Sequence, residues 1–175
     1  MREKRMAYRI RRAVAADEDV INQLYGEMQK AVYGAEKTEA YEPGYLSRFM
    51  NGGESCIFIA ETDQALGYLS AEVYRKPQEY MYLDDFAVRE AVRGQGIGSA
   101  LIVCAETYAR KLNMPAVLLH VLKTNTRAFA FYKRHGYTVF GEESHRYLMR
   151  KLILQSEKGY RVDYNRNACR KGDQK

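Results

Sequence analysis

Val88-Arg89-Glu90-Ala91-Val92-Arg93-Gly94-Gln95-Gly96-Ile97-Gly98 is the stretch on which the reading of this chain turns. Before it, Tyr80, Tyr82, Phe86 and Val88 recur at even spacing, as on one face of a strand. After it the period changes: Ile97, Leu101 and Ala105 fall on one helical stripe with Ile102 beside it. The stretch is therefore a strand-to-helix junction. Its three alternate glycines let the backbone approach a ligand closely and adopt positive φ. The helix it opens offers unpaired N–H groups and the positive end of its dipole. Arg93 adds a fixed charge, and the whole suits an anionic pyrophosphate.

Other glycine-rich loops fit less well. A P-loop ends in Gly-Lys-Ser/Thr, which is missing. A dinucleotide fingerprint wants glycine where Ser99 stands and an acid at the end of the next strand, where Leu118-Leu119-His120 offers none. A purely structural tight turn stays open.

Outward from the junction, residues 8–14 read as a strand. Ala15-Ala16-Asp17 then supplies the N-cap of a helix running to about residue 31, with Val20, Ile21, Leu24 and Met28 at helical spacing. A short helix over 45–50 stops at Asn51-Gly52-Gly53. Strands follow over 56–61, 66–74 and 79–88, then a helix over 98–111, a strand over 116–122, a helix over 126–134, and strands over 136–140 and 145–152. This order predicts an α+β (mixed α/β) fold, with a parallel crossover at the centre of the sheet.

The chain has 175 residues, which suits one domain, read as 1–155, with a basic tail over 156–175. With 46% hydrophobic and 29% charged residues it is globular rather than disordered. Its apolar runs, the longest over 100–105, fall far short of the ~20 residues a bilayer needs. The charged start Met1-Arg2-Glu3-Lys4-Arg5-Met6 leads into no apolar run, so a signal peptide is not expected. Three scattered cysteines, without CxxC, argue against a disulfide framework or a zinc ribbon, so a cytoplasmic location is expected and no metal. The net charge is +6, but residues 1–12 carry +5 and residues 156–175 carry +3, leaving −2 on the body. That distribution argues against a nucleic-acid surface and for solvated ends.

Arg93-x-x-Gly96-x-Gly98 at such a junction resembles the acetyl-CoA signature of the GCN5-related N-acetyltransferase (GNAT) family. Asn125-x-x-Ala128-x-x-Phe131-Tyr132-x-x-x-Gly136-Tyr137 is similar to that family's second block, and the strand Tyr82-Leu83-Asp84-Asp85-Phe86-Ala87-Val88 to the one before its loop. The resemblance covers about 66–152 by motif and 8–60 by element order. It implies a GNAT-like fold, with a central mixed, mostly antiparallel sheet flanked by helices, and acetyl-CoA as the donor. The pyrophosphate would rest on backbone N–H groups of Gln95, Gly96, Ile97, Gly98 and Ser99, beside Arg93 and Gly94. Phe86, Ala87 and Val88 would run along the pantetheine arm as a strand partner does. Asn125 would bond near that arm, with Phe131 and Tyr132 by the thioester.

Amine attack on a thioester needs a base, oxyanion donors and an acid for the leaving thiolate. Tyr132 is the expected acid: with an ordinary pKa of ~10 a tyrosine stays protonated at neutral pH. Asp84 and Asp85, adjacent in a strand and so expected on opposite faces, are candidate base and amine contacts. Tyr82-Leu83-Asp84-Asp85-Phe86 resembles the Tyr-Leu-Glu-Asp-Phe stretch of diamine acetyltransferases, which implies a small-molecule primary amine as acceptor. His120 competes as base or relay. Its spacing to Asn125 resembles that of the glutamate in ribosomal-protein N-terminal acetyltransferases, which keeps a protein or peptide acceptor open. A lone strand histidine also reads as a packed sheet residue, and a non-catalytic acyl-CoA-binding module stays open as well. His135 reads as a helix C-cap, His145 as a surface turn residue and Cys104 as packing. Tyr25, Met28, Tyr33, Tyr41 and Tyr45 read as packing or acceptor-pocket residues. The family's C-terminal dimers imply a homodimer, with Tyr160, Val162 and Tyr164 alternating as on an added edge strand.

Overall fold

The computed structural model describes residues 7–34 and 40–153. Strands β1 (Arg9–Arg12), β2 (Cys56–Glu61), β3 (Ala65–Tyr74), β4 (Tyr80–Val88), β5 (Ala116–Leu122), β6 (Thr138–Glu142) and β7 (Arg146–Leu152) alternate with helices α1 (Glu18–Tyr33), α2 (Ser47–Met50), α3 (Ile97–Lys111) and α4 (Thr126–Arg134). The strands form one sheet in the order β1-β2-β3-β4-β5-β7-β6. Every neighbouring pair is antiparallel except β4 and β5, which run parallel and are joined through α3. The mixed, mostly antiparallel sheet flanked by helices is as expected. The expected edge strand and basic tail over 156–175 lie outside the described residues, as does Cys169.

Helices cover both faces of the sheet. On one, Ile21 and Leu24 of α1 and Phe49 of α2 pack with Ile57, Ile59, Tyr68 and Ala87. On the other, Ile97, Leu101, Ile102, Ala105 and Ala109 of α3 meet Phe58, Leu69, Met81, Leu83, Val117 and Leu119. Each fully buried Leu or Ile contributes about 2 kcal/mol. Burial on both faces explains why residues 56–60 of β2 are unbroken apolar rather than alternating.

Two local expectations need correction. Asp17 precedes α1, but its side chain accepts no N–H of that helix. It is buried against Arg11, whose Nη1 and Nη2 donate to its carboxylate at 2.7 and 2.8 Å, and it accepts the Val14 N–H at 2.8 Å. An ion pair from the neighbouring strand outcompetes capping. The strand expected from residue 136 begins at Thr138. Gly136, at φ +85, ends α4, and the Tyr137 N–H turns back to the Tyr132 carbonyl at 3.1 Å.

A bulge and a splay in the sheet position the site. In β4, Leu83 pairs with Ala71 and Phe86 with Leu69, so Asp84 and Asp85 oppose the single residue Ser70. β4 and β5 pair only over Met81–Leu83 and Val117–Leu119, although both strands run on. Past that point the β5-facing edge of β4 has no strand partner among the described residues. On the other edge, Gly67 lets β3 approach closely: a Cβ there would lie 2.5 Å from the Ala87 carbonyl oxygen.

Candidate active site

The gap between β4 and β5 opens into a cavity of about 840 Å³, running from the glycine loop to α1. Phe86, Ala87, Val88, Arg93, Gly94, Gly96, Ile97, Gly98, Ser99, Asn125, Phe131 and Tyr132 all line it, as do Asp84, Asp85 and His120. Gln95, expected with them, is exposed and outside the lining.

The end formed by the glycine loop is built from backbone. Gly94 and Gly96 have φ of +83 and +86°, and a Cβ on either would meet nothing within 4 Å. The conformation favours glycine, and the open space in front of the loop is free for a ligand. At Gly98 a Cβ would come 3.3 Å from the Phe86 ring and 3.6 Å from Phe131, so its absence lets α3 seat against both rings. The Arg93 Nε–H donates to the Val88 carbonyl at 2.9 Å, holding the guanidinium across the loop. The first turn of α3 aims its N–H groups here. A polyanion fits this cradle, and an extended amide arm fits the unpaired edge of β4.

Asn125 caps α4, its Oδ1 accepting the Ala128 N–H at 3.1 Å. Its amide N–H groups have no acceptor among the described residues. Two turns on, Tyr132 is half-buried, and its hydroxyl bonds no described side chain. Burial raises its pKa, so the hydroxyl keeps its proton. His135 is the C-cap residue of α4, as expected, and its Nε2 also lies 3.1 Å from Ser99 Oγ.

The opposite end is built from side chains of many elements. The bulge turns both aspartates into the same cleft, which corrects their expected placement on opposite faces, since two residues opposing one break the alternation. Tyr41 donates to Asp85 Oδ2 at 2.5 Å and lies 2.9 Å from the Tyr68 hydroxyl. Tyr45 donates to Asp84 Oδ2 at 3.4 Å. Tyr25, Tyr41 and Tyr45 stack with centroids 4.0 and 5.0 Å apart. Tyr25, Met28 and Tyr33 line the cavity, while Tyr41 and Tyr45 stand behind the carboxylates. Desolvation holds both carboxyls above the usual range. At Asp84 the charge of Asp85 adds to this, while Arg48 opposes it at both. Asp84 is open to the cleft although protein crowds it on the other sides.

His120 is no isolated core residue. Its Nδ1 lies 2.7 Å from the Tyr82 hydroxyl and its Nε2 3.3 Å from Glu143 Oε1. Glu143 in turn accepts from Arg146 Nε at 2.6 Å. Burial pushes the Glu143 carboxyl up, but Arg146 and His120 outweigh it and hold the group ionised. An ionised Glu143 places the ring hydrogen on Nε2, leaving Nδ1 to accept from Tyr82. Tyr82, Glu143 and Arg146 escaped the sequence reading. Glu143 stands 23 residues beyond His120, and only the pairing of β5 with β7 brings the β6–β7 turn beside it. Among the described residues no helix is long and apolar enough to cross a membrane, and no cluster of metal-ligating side chains occurs.

The Acetyltransferase (GNAT) family model matches residues 21–137 of the chain. The 5-NmdU N-acetyltransferase of Pseudomonas phage PaMx11 is 30% identical over 132 residues, spanning 70% of this chain and 89% of that protein. The peptidyl-lysine N-acetyltransferase YjaB of Salmonella typhimurium is 28% identical over 134 residues, 75% of this chain and 73% of that one. In fold, the PaiA N-acetyltransferase of Thermoplasma acidophilum, solved in complex with coenzyme A, matches with a TM-score of 0.70 at 18% identity. That match covers 84% of this chain and 99% of the other. The chain belongs to the GNAT family and is an acetyl-CoA-dependent N-acetyltransferase.

Proposed function

We propose that the acetyl group passes directly to a primary amine of a small cationic molecule. The observation that carries this reading is the pair of carboxylates, Asp84 and Asp85, in a cleft walled by stacked tyrosines. Carboxylates attract an ammonium ion, and tyrosine faces stabilise it further. Asp85 is held by Tyr41, which leaves Asp84 as the group that meets the amine.

Acetyl-CoA enters as a substrate along the free edge of β4, with its pyrophosphate at the first turn of α3. The arriving ammonium must lose a proton before it can attack. The Tyr82 hydroxyl takes that proton while passing its own to His120 Nδ1, and Glu143 stabilises the imidazolium that forms. The neutral nitrogen then bonds to the acetyl carbon and the carbon–sulfur bond breaks. Tyr132 protonates the departing thiolate; the His120 imidazolium then releases its extra proton to solvent and Tyr132 takes one back, which restores the starting state. The products are an acetamide and the free thiol of coenzyme A. No acyl-enzyme is required.

A second reading, a peptidyl lysine as acceptor, is favoured by the similarity to YjaB. Thiol release measured with simple monoamines, polyamines, aminoglycosides, lysine peptides and peptides with free N-termini separates the two. A small cationic amine should give a kcat/KM at least tenfold above any peptide, with the advantage lost in Asp84→Asn. A lysine peptide at the head of that panel overturns the small-molecule reading.

A further inference from the structure

Arg48 is a cation that the protein itself places beside the acceptor carboxylates. It sits on α2, about half exposed, and its Nη2 reaches Glu72 Oε1 at 2.5 Å; the Glu72 side chain is 13% exposed. The same nitrogen donates to the Tyr45 hydroxyl at 2.7 Å, and that hydroxyl donates to Asp84. The guanidinium carbon lies 4.2 Å from the Tyr45 ring centre and 4.6 Å from that of Phe49. Glu72 also accepts from the Tyr74 hydroxyl at 2.7 Å. One guanidinium, stacked on aromatic faces, thus pairs directly with Glu72 and reaches Asp84 through the Tyr45 hydroxyl.

This arrangement is how a protein binds an alkylammonium or guanidinium ligand, except that the cation is its own side chain. The two bonds through Tyr45 place Arg48 Nη2 no more than about 6 Å from Asp84 Oδ2. A chain of four methylenes covers that distance. An acceptor with one charge therefore meets Asp84 without conflict. In an acceptor with a second ammonium at that spacing, the second charge falls on ground that Arg48 holds, and like charges repel there.

We propose that Arg48 is a specificity-determining residue that limits the acceptor to one positive charge near Asp84, by filling the place a second ammonium would take. This rests on the amine reading above, so its test includes binding as well as turnover. The full-length wild type, Arg48→Lys, Arg48→Ala and the double variant Arg48→Ala/Glu72→Gln are loaded with coenzyme A. Each is titrated calorimetrically with n-butylamine and with 1,4-diaminobutane, and kcat/KM is measured for both amines. The affinity ratio of diamine to monoamine should rise at least fivefold in Arg48→Ala. It should stay near the wild-type value in Arg48→Lys, which keeps the charge, and fall back when Glu72 is also neutralised. A ratio unchanged in Arg48→Ala, or one that stays raised without Glu72, overturns the proposal. Binding in the expected pattern without acetyl transfer to either amine contradicts the amine reading and upholds the role of Arg48. No binding of either amine to any variant overturns both.

Discussion

The two ends of the cleft are made in different ways. The end we assign to the donor is backbone: the free edge of β4, a loop with Gly94 and Gly96 at positive φ, and the first turn of α3. The end we assign to the acceptor is side chains: Asp84 and Asp85 from a bulge, tyrosines from α1 and the segment before α2, and Tyr82, His120 and Glu143 from β4, β5 and a distant turn. Backbone recognition depends on where side chains are absent, so changes there act through added bulk or charge. Side-chain recognition depends on protonation, so changes there should appear in pH profiles.

Substitutions at each end sharpen that contrast. Gly96→Asp has the largest expected effect. It sets a carboxylate where the pyrophosphate would rest, and like-charge contact costs several kcal/mol, so acetyl-CoA affinity should fall on the order of 100-fold. Calorimetry reads this directly, and retained affinity removes the loop from the donor site. Tyr132→Phe should lower kcat on the order of 100-fold, the lower range for a lost proton donor. Its acetyl-CoA affinity should stay within about twofold of wild type. Normal turnover would remove Tyr132 as the acid.

Glu143→Gln should act less strongly. Without the carboxylate the imidazolium of His120 loses its stabilising charge and the ring is a weaker base, so kcat should drop roughly tenfold on the alkaline side, and the acidic limb of the profile should move to lower pH. A pH–rate profile identical to wild type would separate Glu143 from the proton path.

Asp84→Asn has the smallest expected effect on folding and an informative sign. The folded chain holds this carboxyl above its ordinary range. Wild-type stability therefore loses a contribution as pH rises through that raised value, a loss that asparagine does not share. The variant should melt about 2 °C above wild type near pH 8, a modest shift because the group is open to water. Below the ordinary carboxylate range the gap should close. A variant that melts below wild type at pH 8 contradicts the strained pair.

The same division explains what could be read before the structure. Glycine spacing, the change from period two to period 3.6 and the apolar stripe of α3 are local features, so the order of the elements, the parallel crossover and the strand-to-helix glycine junction were legible. Asn125 and Tyr132 were singled out by the block Asn125-x-x-Ala128-x-x-Phe131-Tyr132, whose spacing is continuous in sequence over the cap and first two turns of α4. The bulge was hidden, because nothing in Leu83-Asp84-Asp85-Phe86 says that Ser70 will oppose two residues. Arg48 and Glu72 stand 24 residues apart and Tyr82 and His120 38 apart, in pairs that only the folded sheet and α2 create. Asp17 misled because the cap pattern is local while Arg11, which captures it, comes from the preceding strand.

The most direct test of a cleft with a backbone-built donor end and a side-chain-built acceptor end is one calorimetric series. Acetyl-CoA is titrated into wild type, Gly96→Asp and Asp84→Asn without any acceptor. The expected result is micromolar binding to wild type and Asp84→Asn, and binding on the order of 100-fold weaker to Gly96→Asp. Equal binding to all three, or loss in Asp84→Asn as well, would contradict the division of the cleft.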